Sequence, residues 1–206
     1  MRRQAALSVL TVVIFLIGAW NLQSPSQAAA DGTPGKAYVA GGCFGCMEEA
    51  FEKVEGVLSA TSGYMGGKVV NPSYEEVSAG RTGHAESVEV VYDPAKVSYQ
   101  KLLDAFWRNV DPITPNAQFC DHGSQYRSAV FFQTDEEKRA SDTSKQAIEQ
   151  SKRFTEPIVT QIVMASQFYP AEEYPQDFYK KNPIRYKLYK YNWGRVQRLE
   201  ELWGKP

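Results

Sequence analysis

The 206-residue chain is 43% hydrophobic and 13% aromatic and carries a formal charge of −1. This is enough apolar material for one packed domain, and too little positive charge for a binder of nucleic acid or of an anionic membrane surface. Three cysteines, an odd number, leave at least one thiol outside any internal disulfide.

Residues 1–30 read as a leader. Arg2 and Arg3 precede an apolar run over residues 5–20, and Ala28-Ala29-Ala30 fits a small-x-small cleavage rule. The run is shorter than the roughly 20 residues of a membrane span. A secretory signal cut after Ala30 is expected, with an uncleaved N-terminal anchor as the alternative. Either places the domain in a periplasmic or other extracytoplasmic space that permits disulfides. Cleavage removes two of the 23 basic residues and none of the 24 acids, leaving a charge of −3. Residues 31–206 contain no repeat and no long linker, and read as a single domain.

Residues 36–40 form a short buried strand, followed by Gly41-Gly42-Cys43. Phe44, Met47, Ala50, Phe51 and Val54 then recur at helical spacing up to Gly56. Cys43 thus sits on a glycine-loosened turn at a helix N-terminus, where unpaired amides and the helix dipole favour the thiolate. Cys46 lies one turn on, within disulfide reach. A strand over 57–64 ends at Gly66-Gly67, and Asn71-Pro72-Ser73 opens a short helix over 74–77. A strand over 86–92 stops at Asp93-Pro94, and Ser98 caps a helix whose Leu102, Leu103, Phe106 and Trp107 make an apolar stripe. Residues 111–123 are a long irregular segment holding Cys120, of the kind that is often functional. A strand over 126–132 follows. Then come a polar helix capped by Thr134 and Glu137 and running to about 153, and a strand over 158–165. From Ser166 on the chain reads as irregular, with a last helix near 195–202. Intermixed strands and helices argue a compact α/β or α+β domain with helices packed on a mixed sheet.

Beside Cys43, four polar clusters can carry chemistry: 72–76, 82–86, 121–127 and 168–174. Each also has an ordinary reading. Glu86 at a strand end can be a solvated charge, Tyr74 and Tyr126 core rings, and Cys43 a small buried hydrophobe. Cys43, Cys46, His84 and His122 could ligate zinc, but the two histidines lie too far apart in sequence for a usual structural site. A Cys/His hydrolase with His84 or His122 as base stays open on these residues alone.

As a set the motifs are more specific. Gly42-Cys43-Phe44-x-Cys46, Asn71 to Val77, Thr82-Gly83-His84-Ala85-Glu86, Phe106-Trp107, Asp111-Pro112 and Asp121-x-Gly123-Ser124-Gln125-Tyr126-Arg127-Ser128 resemble, in order and spacing, the A class of peptide methionine sulfoxide reductases. The resemblance runs from about Tyr38 to Trp203. It implies a two-layer α/β sandwich with a mixed sheet and a ferredoxin-like core. It also implies reduction of the S epimer of methionine sulfoxide, free or in proteins. Cys43 then matches the nucleophile, Glu86 the acid, and Tyr74 and Tyr126 the hydroxyls that hold the sulfoxide oxygen. Phe44, Asp121 and His84 fall to substrate binding. A thioredoxin-like dithiol would recycle a monomeric enzyme that needs no metal or organic cofactor. The chain departs from the family at Gly45, where tryptophan is usual, and at Pro175, where histidine is frequent. Gly45 removes half of an aromatic cradle, which Tyr169 or Trp193 could replace. If turnover is weakened there, a sulfoxide-binding or redox-sensing role is the alternative. No cysteine follows Cys120, so Cys46 is expected to resolve the oxidised nucleophile, with Cys120 as rival.

Overall fold

A computed structural model describes residues 32–192 and 194–205; the leader expected over 1–30 and the Trp193 side chain lie outside them. The elements in chain order are β1 (Gly35–Gly41), α1 (Phe44–Glu52), β2 (Val57–Met65), α2 (Tyr74–Ser78), β3 (Ala85–Tyr92), α3 (Tyr99–Arg108), the short pair β4 (Ala117–Gln118) and β5 (Asp121–His122), β6 (Ser128–Phe132), α4 (Asp135–Gln150), β7 (Gln161–Met164), β8 (Tyr169–Pro170), α5 (Phe178–Lys181), α6 (Pro183–Asn192) and α7 (Arg195–Trp203).

Six strands form one mixed sheet in the order β7-β6-β1-β3-β2-β8. All pairs are antiparallel except β6 with β7. β1 and β3 lie inside the sheet, and β3 mixes the polar Glu86, Ser87 and Glu89 with its apolar residues. Helices α1 and α3 cover one face. Met47 and Phe51 of α1 and Leu102, Leu103 and Phe106 of α3 pack there on Val39, Val88 and Val90. Each such side chain contributes about 1.5–3 kcal/mol by burial. Ser98 caps α3 through the Lys101 amide at 3.2 Å, as its sequence requires. Trp107 then ties α3 to α4 by donating to Ser144 Oγ at 2.8 Å. The other face carries a smaller cluster of Ala40, Met65, Ala85, Ala129 and Phe131, packed by Tyr38 and Phe168. The expected mixed sheet with packed helices is therefore present.

Two stretches differ from expectation. Tyr126 is not in a strand: Ser124–Tyr126 form one 3-10 turn, and β6 begins two residues later. Gly123 at φ +132 makes that turn possible. The C-terminal part is not irregular, since it holds α5 and α6. Their burial is mostly aromatic and polar, so no inward-facing apolar stripe supports them. Tyr186 of α6 donates to Glu49 at 2.6 Å, Lys190 pairs with the same carboxylate, and Tyr179 of α5 donates to Glu52. Gln176 completes the fastening by bonding both backbone groups of Ser62. Residues 176–190 are thus laid across α1, the helix that carries the two neighbouring thiols.

Candidate active site

Cys43 is the N-cap residue of α1, held between β1 and the helix by Gly42 at φ +80. A β-carbon on Gly42 would lie 2.5 Å from Gln118 Cβ. Gln118 cannot retreat. It is fully buried, accepts from Asp111 N at 2.8 Å and donates to Asp111 O at 2.6 Å. So the irregular segment 111–123 braces the turn that presents the thiol. Gly42→Ala combines a left-handed alanine with this clash and is expected to cost about 2–4 kcal/mol. A denaturant midpoint unchanged from wild type would refute the bracing.

A cavity of about 590 Å³ opens over Cys43, with Phe44, Tyr74, Glu86, Asp121 and Tyr126 in its wall. β3 carries Glu86 into it, 2% exposed, and its Oε2 accepts from the Phe44 amide at 3.1 Å. Burial raises Glu86 to about 8 in spite of that bond, with the charges of Asp121 and Cys46 adding to the rise. It is therefore a carboxylic acid at neutral pH. Tyr74 begins α2, whose Ser73–Glu76 capping box fixes the helix start. Its amide donates to Glu172 at 2.9 Å and its ring stacks on Phe44 at 6.0 Å. Burial raises both cavity phenols, Tyr74 to about 12 and Tyr126 further, so both keep their protons as donors.

The two neighbouring sulfurs behave as a pair. Cys46 is 2% exposed and does not reach the cavity. It is brought down to about 6, chiefly because Cys43 donates to it, and Arg195, Tyr186 and Lys190 add to that. Cys43 is pushed up by the same bond, by burial and by the charges of Cys46 and Glu86. The pair thus loses one proton easily and a second with difficulty. The expectation of a directly lowered Cys43 is corrected. The Cys43 side chain makes no capping bond to the helix amides, and the resting charge sits on Cys46, where the cations are. Passing the shared proton to Cys46 leaves the charge on Cys43, where the Tyr189 hydroxyl lowers it when its one proton turns from Asp121 to the sulfur.

Tyr189 had no signal in the sequence. Its hydroxyl donates to Asp121 at 3.0 Å, and α6 lays its ring over the cavity. Phe178 is the other residue not foreseen. It lines the cavity, and its Cβ is 3.9 Å from where a Gly45 side chain would begin. The gap at Gly45 is thus walled by Phe178, with Tyr174 and Pro175 beside it. Tyr169 does not fill it: its ring lies edge-on against His84 at 5.6 Å.

His84 needs a second correction. It is 1% exposed and does not line the cavity. Its Nδ1 accepts from Gly67 N at 3.1 Å and its Nε2 lies 2.8 Å from Val69 O. Both ring nitrogens are spent on the loop after β2, which leaves neither for a substrate, a metal or a base. His122 is exposed on β5. Among the described residues, only Glu48, Glu52 and Asp177 bring three metal-type ligand atoms together, and Lys180 already pairs with Glu52 and Asp177.

The family model described as peptide methionine sulfoxide reductase matches residues 35–206. This chain belongs to the peptide methionine sulfoxide reductase family. Curated members from Halalkalibacterium halodurans and Listeria welshimeri, both named peptide methionine sulfoxide reductase MsrA, are each 46% identical to it. The matches cover 82% of this chain and 97% and 95% of those proteins. Among solved structures, the reduced form of Mxr1 from Saccharomyces cerevisiae has a TM-score of 0.69 at 31% identity, covering 75% of this chain and 88% of that one. Methionine sulfoxide reductase A of Corynebacterium diphtheriae scores 0.66 at 32% identity, covering 75% and 77%. The chain is thus an oxidoreductase of this family, with the cavity over Cys43 as its candidate catalytic centre.

Proposed function

We propose that the protein reduces the S epimer of methionine sulfoxide through Cys43. The observation that carries this reading is a neutral Glu86 and two phenol donors around the one sulfur that reaches the cavity. Cys43, having passed its proton to Cys46, attacks the sulfoxide sulfur. Glu86 gives its proton to the sulfoxide oxygen, which Tyr74 and Tyr126 hold as negative charge builds on it. Oxygen ends on Cys43 as a sulfenic acid and methionine leaves as the thioether. The substrate sulfur gains two electrons and Cys43 loses two. The proton count closes: Glu86 is left ionised, Cys46 is left as the thiol, and the sulfenic hydroxyl carries the donated proton. Phe44 and Phe178 make the apolar walls for the methyl group.

Cys46 resolves the sulfenic acid. It already bonds Cys43, and disulfide formation releases one water. Cys120 is exposed and raised to about 11, a poor thiolate at neutral pH. An external dithiol of thioredoxin type restores the pair; the yeast Mxr1 relative has been solved in complex with Trx2. The site acts in an extracytoplasmic space, as the leader expectation has it.

The test is a Cys46→Ser and Cys120→Ser pair. Cys46→Ser is expected to form about one methionine per chain and to stop as a sulfenic acid that dimedone traps. Cys120→Ser is expected to turn over within about twofold of wild type, the range of an exposed substitution outside the chemistry. A mapped Cys43–Cys120 disulfide would reverse the two roles.

A further inference from the structure

The C-terminal segment has a charge pattern unlike the rest of the chain. Residues 178–199 contain seven Lys or Arg and no acid, which leaves 16 cations against 24 acids elsewhere. Most of the seven are committed. Lys180, Lys181, Lys190 and Arg198 are in ion pairs, and Arg195 donates to Asn109 O at 2.6 Å. Among the described residues, Arg185 and Lys187 make no ion pair. Both are exposed on α6. Between them along the helix runs an uncovered apolar stripe of Ile184, Leu188 and Tyr191, at 76%, 57% and 68% exposure. Their i, i+4, i+7 spacing puts the three on one side of α6.

This stripe does not lie at random. Arg185, Leu188 and Asn192 of the same helix line the cavity over Cys43, as do Tyr74 and Tyr174. A methionine sulfoxide within a polypeptide has to send its side chain down this cavity while its neighbours lie on the rim. One side of that rim is α6.

We infer that the exposed face of α6 is a docking surface for the polypeptide around the oxidised methionine, and that it selects chains with acidic and apolar residues beside it. This rests on the reading of the cavity as a sulfoxide site. Ile184, Leu188 and Tyr191 meet the apolar neighbours, and Arg185 and Lys187 meet the acidic ones. Few such charge pairs are involved and they are exposed, so the selectivity is modest and falls with salt.

The experiment compares three substrates: a peptide whose methionine S-sulfoxide is flanked by Glu and Leu, the same peptide with Lys in place of Glu, and N-acetyl-methionine S-sulfoxide. At low salt kcat/KM for the acidic peptide is expected to exceed that for the basic one by about three- to tenfold, closing at high salt. Lys187→Glu and Ile184→Ser, both on the solvent side, are expected to lower the rate on the acidic peptide several-fold and to leave the acetylated amino acid unchanged. Equal rates on both peptides, or a parallel fall on the small substrate, overturn the inference. So does sedimentation with phosphatidylserine vesicles that Lys187→Glu abolishes and that blocks peptide turnover, which assigns the face to a membrane. If no substrate is reduced, the sulfoxide reading fails. Fluorescence anisotropy of the two labelled peptides then still tests the surface, and equal binding overturns it.

Discussion

Cys43→Ser is expected to abolish methionine formation, with a loss of about 10⁴-fold or more in a single-turnover assay. Several features combine to make this the largest effect. Cys43 is the sulfur that lines the cavity, while Cys46 is sealed beneath it. Serine has a similar size, so the packing of α1 and the cover over it are retained. Its hydroxyl, however, does not ionise near neutral pH and does not bind the sulfoxide oxygen as a stable product. The assay mixes equal amounts of protein and resolved sulfoxide epimers without reductant, and quantifies methionine. Wild type is expected to consume the S epimer alone. Methionine from Cys43→Ser at a rate within tenfold of wild type would remove Cys43 as the nucleophile.

Glu86→Gln is expected to lower the rate of the same step by about 10²–10⁴-fold, the range for loss of a positioned acid. It should also alter the pH profile in a defined way. The reactive form has one charge on the cysteine pair and a proton on Glu86. The wild-type kcat/KM is therefore expected to rise as pH passes about 6, where the pair loses its first proton, and to fall as pH passes about 8, where Glu86 ionises. Glutamine keeps an oxygen for the Phe44 amide, so the residual activity should lose the fall at about 8 and keep the rise at about 6. A basic limb that survives in Glu86→Gln would assign it to another group. Stability has its own sign. The folded pKa of Glu86 is raised above its unfolded value, so the native state holds a proton that the unfolded state releases. The native fold is therefore penalised progressively as pH rises from about 4.5 to 8, and fully above that. Glu86→Gln escapes this penalty. Its melting temperature at pH 9 is expected to equal or exceed that of wild type.

The sequence made the catalytic strand-turn-helix legible because its logic is local. Two glycines, a cysteine and a helix period lie within a dozen residues. Glu86, Tyr74 and Tyr126 were found as a motif set, though not one of them is distinctive alone, and the structure brings all three to one cavity. His84 misled because it belongs to the same motif as Glu86. His84 precedes β3, so the two-residue spacing that would put it on the face of Glu86 does not govern it; its ring turns to the loop after β2, and a buried histidine satisfied by backbone looks the same in sequence as a ligand. Gly45 and Phe178 illustrate the opposite limit. A missing ring in α1 is made good from α5, far away in the chain, and no local pattern connects the two positions. Helix α6 was missed because its burial is inverted. The apolar residues Ile184 and Leu188 face outward, while Tyr186 and Tyr189 anchor it through hydroxyl groups to Glu49 and Asp121. A reading that looks for apolar stripes facing inward has nothing to find there.

The fastening of residues 176–190 across α1 makes the two pieces one cooperative unit. Glu48 and Glu52 approach within 4.8 Å of one another, and both meet partners from the C-terminal segment: the Asp177 amide at Glu48, Tyr179 and Lys180 at Glu52. Glu49 is held low by Lys190, Lys53 and the Tyr186 hydroxyl against its own burial. Without the segment the helix would carry three adjoining carboxylates on one side, stripped of most of their counterparts. Trimming the C-terminus is therefore no neutral way to expose the thiols. It transfers electrostatic strain to the helix that bears them.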